Sequence, residues 1–167
     1  MVRILIIYDS RTGNTEKMAY SVAEGARKVE GVEVVVKKVD QARIVDLLDA
    51  DGIIMGSPTY FGQMSAELKS FIDKSVEIHG KLEGKVGAAF TSSGGTATGA
   101  ETTLLSMLQA MLIHGMIVQG RHDDKHYGVA AVENPEQEDL DYCRELGKRT
   151  ALLAKRLKGI NDGPGRT

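Results

Sequence analysis

Val2-Arg3-Ile4-Leu5-Ile6-Ile7-Tyr8, followed at once by Asp9-Ser10-Arg11-Thr12-Gly13-Asn14-Thr15, is the stretch on which the fold turns. The first seven residues form an apolar run without strict alternation, as expected of a strand buried on both faces of a parallel sheet. The next seven, Arg11 apart, are small, hydroxylated or turn-forming. Beyond them Met18, Val22, Ala26 and Val29 step at three and four residues, leaving Glu16, Lys17, Glu24 and Lys28 on other faces, which is an amphipathic helix. Strand, polar loop and helix in this order open a βαβ unit.

The same sentence repeats along the chain. Further apolar runs at Val32 to Lys38, Gly52 to Met55, Val86 to Thr91 and Met116 to Val118 each end in loop-forming residues. Helical stripes follow the third run (Leu68, Phe71, Ile72, Ser75) and the fourth (Leu104, Leu105, Leu108, Met111, Leu112). A long one closes the chain (Leu140, Cys143, Leu146, Thr150, Leu153, Leu157), opened by Asn134-Pro135. Five strands alternating with helices through right-handed crossovers predict an α/β, doubly wound parallel sheet with helices on both faces. In such sheets ligands bind beyond the carboxyl ends of the strands. We expect one domain over 1–159, with 160–167 as a flexible tail.

Composition narrows the function. The 167 residues suit a single core, and a formal net charge of -2 gives no electrostatic footprint for nucleic acid. No run reaches the roughly 18 apolar residues of a membrane span. One cysteine allows no internal disulfide and no multi-cysteine metal or iron-sulfur site, which suits a reducing, cytoplasmic setting. Aromatic residues make up only 5%, with no Trp, against 19 Gly. Where those few aromatics fall therefore matters.

After the first strand, the hydroxyls of Ser10, Thr12 and Thr15, a glycine able to take positive φ and the free N–H groups of a helix start form an anion cradle. The loop lacks the Lys of a nucleoside-triphosphate loop and the three glycines of a dinucleotide fingerprint, which leaves a terminal monophosphate as guest. After the third strand, Gly56-Ser57-Pro58-Thr59-Tyr60-Phe61-Gly62-Gln63 places two aromatics together; after the fourth, Thr91-Ser92-Ser93-Gly94-Gly95-Thr96-Ala97-Thr98-Gly99 has almost no bulk. One wall is aromatic and the other is backbone. A flat heteroaromatic ring needs both, a face to stack on and backbone groups along its edge. Tyr60 is the expected stacking residue; Phe61 reads equally as wall or core.

These three loops resemble those of the flavodoxin-like FMN proteins, and within them the WrbA-type NAD(P)H:quinone reductases. Ser-x-Thr-Gly-Asn-Thr at 10–15 looks like the flavodoxin phosphate loop. Gly-Ser-Pro-Thr-Tyr-Phe-Gly at 56–62 is similar to the WrbA-type G-[ST]-P-T-R-F-G, with Tyr60 where that group usually has Arg. Thr91-Ser92-Ser93-Gly94, then Gly99-Ala100-Glu101-Thr102-Thr103, together with His114-Gly115-Met116 and Tyr127-Gly128, match further positions. The resemblance implies strand order 2-1-3-4-5 and non-covalent FMN. Ser10, Thr12, Gly13, Asn14 and Thr15 would hold the phosphate; Pro58, Thr59, Tyr60 and Phe61 would line the ring; Ser92, Ser93, Gly94, Gly95 and Thr96 would meet its polar edge; and Arg11, Gly62 and Thr91 would bind the cofactor alongside them. It also implies a homodimer or homotetramer, although the aromatic insert of longer members is missing from 75–82.

The expected activity is reduction of quinones or similar small acceptors by NAD(P)H, with the chemistry on the flavin and no catalytic side chain. Without a second dinucleotide fingerprint, nicotinamide and acceptor must visit in turn, a ping-pong scheme. The alternative is a flavodoxin passing single electrons between protein partners; the mild charge and missing Trp weigh against it. His114, His122, His126 and Tyr127 are expected near the substrate, the latter three because they follow the fifth strand. His122 and His126 lie four apart in a segment without a helical stripe, so no metal site is expected. Cys143 reads as an inert core thiol, and Asp9 as a loop cap.

Overall fold

A computed structural model of the protein describes residues 1–161. The runs form β1 (Val2–Tyr8), β2 (Val32–Lys38), β3 (Gly52–Pro58), β4 (Val86–Ser93), β5 (Ile117–Val118) and β6 (Val129–Val132). The helices are α1 (Asn14–Arg27), α2 (Ile44–Asp49), α3 (Ala66–Lys74), α4 (Ala100–Ile113) and α5 (Gln137–Asn161). All pairings between these strands are parallel, in the order β2-β1-β3-β4-β5, with β6 also on β4.

Two apolar layers explain why the strands do not alternate in polarity. Ile4, Ile6 and Tyr8 face α1 and α5 with Met18, Val22, Phe90 and Cys143, whereas Leu5 and Ile7 face the opposite layer with Leu47, Leu68, Leu104 and Met107. Both faces of the sheet are covered, so both sets of side chains are apolar. Cys143 is fully buried, and burial first of all pushes its thiol up to about 12, so it is inert at neutral pH.

Helices α1 and α5 pack through two glycines. A Cβ added at Gly25 would lie 1.8 Å from the backbone oxygen of Arg144, and one at Gly147 would lie 1.9 Å from that of Val22. Each helix thus offers its bare backbone to the other.

Four features depart from the sequence reading. Strand β3 continues through Gly56, Ser57 and Pro58, and β4 through Ser92 and Ser93, in register with each other. Gly56, read as loop, is a strand residue without a side chain because the Phe90 ring occupies that space, 2.1 Å from a built Cβ. The short helix α2 between β2 and β3 left no stripe in the sequence. Leu112, placed on the buried stripe of α4, is exposed.

The largest departure is at the fifth strand position. It is split: β5 pairs with Val86 and Gly87 at the start of β4, and β6 resumes beside Phe90 to Ser93. The segment 119–128 is an excursion between the halves. Of the expected tail 160–167, residues 160 and 161 belong to α5, and 162–167 lie outside the described residues. No helix among the described residues is long and apolar enough to cross a membrane.

Candidate functional site

Because the paired strands run parallel, their carboxyl ends bring the loops after β1, β3, β4 and β6 to one edge. In the first loop Gly13 takes φ 97° as N-cap of α1, a left-handed conformation that admits glycine at little cost. Its N–H donates to Ser10 Oγ at 3.1 Å. The amides of Asn14, Thr15 and Glu16 find no acceptor among the described residues. Uncapped amides at the positive end of a 14-residue helix, beside the exposed Thr12 hydroxyl, are an open seat for a phosphate.

Buried bonds fix this loop to its neighbours. Thr15 Oγ1 and Ser92 Oγ are 2.8 Å apart, which ties α1 to the end of β4. Tyr8 donates to Glu16 Oε1 at 2.6 Å, holding the first turn down on β1; burial, then this carboxylate, raises the phenol above its ordinary pKa. Asp9 is buried with Oδ2 unpartnered and caps no amide among the described residues, unlike the loop cap expected from the sequence.

The second loop is a tight hairpin. Tyr60 and Gln63 exchange both backbone bonds at 3.0 Å across a two-residue turn in which Phe61 takes φ 50° and Gly62 φ 72°. Positive φ at both central residues is the type I′ pattern. Phe61 projects fully into solvent, which removes it from the core. Thr59 N–H donates to Ser92 O at 2.7 Å, and the hydroxyls of Thr59 and Thr91 are 2.9 Å apart, so this loop is locked to the third. Arg11 leaves the phosphate loop to lie over the Tyr60 ring, 4.7 Å from its centroid, and pairs with Glu67 at 3.3 Å.

In the third loop the hydroxyls of Ser93 and Thr98 both donate to Gly95 O, at 3.0 and 2.8 Å. The amides of 94–98 donate to no other part of the described chain. Gly94, Thr96, Ala97 and Thr98 are exposed. Opposite an aromatic hairpin stands a wall of free backbone N–H groups.

The sequence reading missed the fourth loop. Glu133 N–H donates to Ser93 O at 2.7 Å, and Lys17 Nζ reaches Pro135 O at 2.9 Å and Asn134 Oδ1 at 3.4 Å, closing the edge beside α1. In the sequence Asn134-Pro135 marks only a helix start. The β-branched ends of Val129–Val132, just after Gly128, were the available signal for β6.

The four residues expected near the substrate do not join this loop edge. His114 follows the last turn of α4, roughly 20 Å by helix rise from its first turn at the loop edge. There it is 2.7 Å from Ser75 Oγ, with its ring 5.8 Å from that of His79; burial, then His79, lowers its pKa. Both histidines line a groove of about 630 Å³ between α3 and α4, flanked by the exposed side chains of Val76 and Ile113. His122, His126 and Tyr127 are in the excursion between β5 and β6. Its base is stitched to α5 by Arg121 with Glu145 at 3.0 Å and by Arg149 with Gly120 O at 2.7 Å. The strand splits midway along β4, so these residues flank the sheet instead of crowning it.

A terminal monophosphate on the uncapped start of α1 and a flat ring between Tyr60, Phe61 and the bare 94–98 backbone are what this edge can hold, and FMN has both parts. A family model described as NADPH-dependent FMN reductase matches residues 41–123. A flavodoxin of Aquifex aeolicus is 45% identical over 159 residues, covering 90% of this chain and 86% of the relative. An NAD(P)H dehydrogenase (quinone) of Archaeoglobus fulgidus is 41% identical over 191 aligned positions, covering 94% of this chain and all of the relative. Among solved structures, a flavodoxin, WrbA-like protein from Agrobacterium tumefaciens superposes with TM-score 0.80 at 28% identity, over 93% of this chain and 99% of that one. The chain belongs to the flavodoxin-like FMN proteins, of the WrbA type.

Proposed function

We propose that this protein is an FMN-dependent NAD(P)H oxidoreductase that reduces quinones or similar small acceptors. The observation that carries this reading is the asymmetry of the ring slot. Among the described residues its aromatic wall is the hairpin of Tyr60 and Phe61, whereas residues 94–98 offer no side chain larger than threonine. A ring seated there keeps room for a second flat molecule to approach.

Ser10, Thr12 and the amides of 14–16 bind the phosphate, while Thr15 and Ser92 hold that cradle against β4. Tyr60 and Phe61 orient the ring, and the amides of 94–96 donate to its polar edge. When bound, FMN supplies hydride acceptance from a nicotinamide and donation to an acceptor. With the chemistry on the flavin, the chain's part is to bind, orient and polarise. Donor and acceptor take the same approach in turn, which is ping-pong exchange. The buried single thiol suits a reducing, cytoplasmic setting. Self-association as a homodimer or homotetramer would cover Val76, Leu112 and Ile113 beside the groove between α3 and α4; the holoprotein should then scatter light as two or four chains, not one.

The test is anaerobic mixing of the FMN-loaded protein with NADH or NADPH. Loss of the flavin's yellow absorbance within turnover time is expected. If neither nucleotide bleaches it, the reductase reading fails in favour of the electron carrier, which the name of the Aquifex aeolicus relative supports.

A further inference from the structure

Arg11 lies in the middle of the phosphate loop, where a guanidinium would ordinarily be assigned to the phosphate. Its contacts lead elsewhere. The side chain crosses to the loop after β3, rests on the face of Tyr60 at 4.7 Å from the ring centroid, and is braced by Glu67 Oε1 at 3.3 Å. Glu67 is in the first turn of α3, which follows directly from the same hairpin. A positive charge is thereby carried from the phosphate loop to the aromatic wall of the ring slot, with a carboxylate held against it. Lys17, the neighbouring cation on this edge, is directed to Pro135 and Asn134 instead, and Glu16 is tied to Tyr8.

We propose that Arg11 sets how strongly the site prefers reduced over oxidised FMN, and that Glu67 opposes it. This rests on the reading that the flavin ring lies against Tyr60. Two-electron reduction at neutral pH adds two electrons and one proton to the ring, so the reduced ring carries one more negative charge than the oxidised one. A guanidinium stacked on the adjacent aromatic ring attracts that charge, and a cation held over a π-face keeps a fixed direction. Glu67 acts with the opposite sign while also anchoring the guanidinium. Arg11 and Glu67 are 60% and 48% exposed, so water and salt reduce the effect without cancelling it.

The proposal is tested by measuring, for the full chain, the ratio of dissociation constants for oxidised and reduced FMN. Fluorescence titration gives the oxidised value, and a redox titration against a reference dye gives the ratio. Arg11→Met keeps much of the stem and removes the charge; it should lower the preference for reduced FMN about threefold or more. Glu67→Gln should raise that preference, Arg11→Lys should retain most of it, and high salt should shrink all differences. If Arg11→Met and Glu67→Gln weaken both redox states equally, Arg11 only positions Tyr60 and the proposal is overturned. If the wild-type chain binds no FMN, the site assignment itself fails, a result separable from the first.

Discussion

Phe61 holds a left-handed backbone at φ 50° while its ring makes no use of the protein's core, being fully exposed. A non-glycine residue there costs about 1 kcal/mol relative to glycine, and such strain gathers at ligand sites. Phe61→Gly should therefore raise the melting temperature of the FMN-free protein by a few degrees. The same change should weaken FMN about threefold to tenfold through lost stacking. Thermal unfolding and fluorescence titration check the two halves; unchanged affinity would remove Phe61 from the ring wall. That Tyr60 and Phe61 mattered was legible, because two of the chain's few aromatics stand together beside a strand end. The strain was not, since aromatic side chains rarely adopt positive φ and nothing in the spelling marks it. The destination of Arg11 was equally hidden: a long side chain in a loop has many reachable partners, and only the folded hairpin supplies Tyr60 and Glu67 at once.

Helix α5 contains two glycines in opposite situations. A methyl group at Gly147 would sit 1.9 Å from Val22 O, whereas one at Gly159 would meet nothing within 4 Å. Gly147→Ala should force α1 and α5 apart at a cost of about 2–3 kcal/mol. Gly159→Ala should stabilise by roughly 0.5–1 kcal/mol through helix propensity. Urea unfolding of the two variants should move in opposite directions; a neutral Gly147→Ala would contradict the close packing. The helical stripes themselves were legible from spacing, since Met18, Val22, Ala26 and Cys143 do face the core. Strand ends were harder. Gly56, Ser57 and Pro58 have loop-type chemistry yet continue β3, because pairing with β4 and the room taken by Phe90 override local preference. The split between β5 and β6 was harder to read for a related reason: two residues of strand are too short to carry a period, and Gly128 before the β-branched ends of Val129–Val132 was a slight cue for a new strand.

At the scale of the molecule, the parallel arrangement does the assembling. Loops far apart in sequence, at 10–15, 59–63 and 94–99, share one edge because β1, β3 and β4 are adjacent and point the same way. Thr15 with Ser92, and Thr59 with Ser92 and Thr91, then lock them together. That much follows from a sequence read as strand, loop and helix in repetition. The fourth loop and the displacement of His122, His126 and Tyr127 follow from one interruption in an edge strand. The proposed seat of the FMN phosphate is the set of uncapped helix amides in the cradle after β1. It is tested most directly by titrating FMN into the wild-type chain and into Thr12→Asp, with circular dichroism to show that both are folded. One FMN per wild-type chain and a severe loss of affinity when a carboxylate enters the cradle are expected. Equal affinity of the two folded proteins would contradict it.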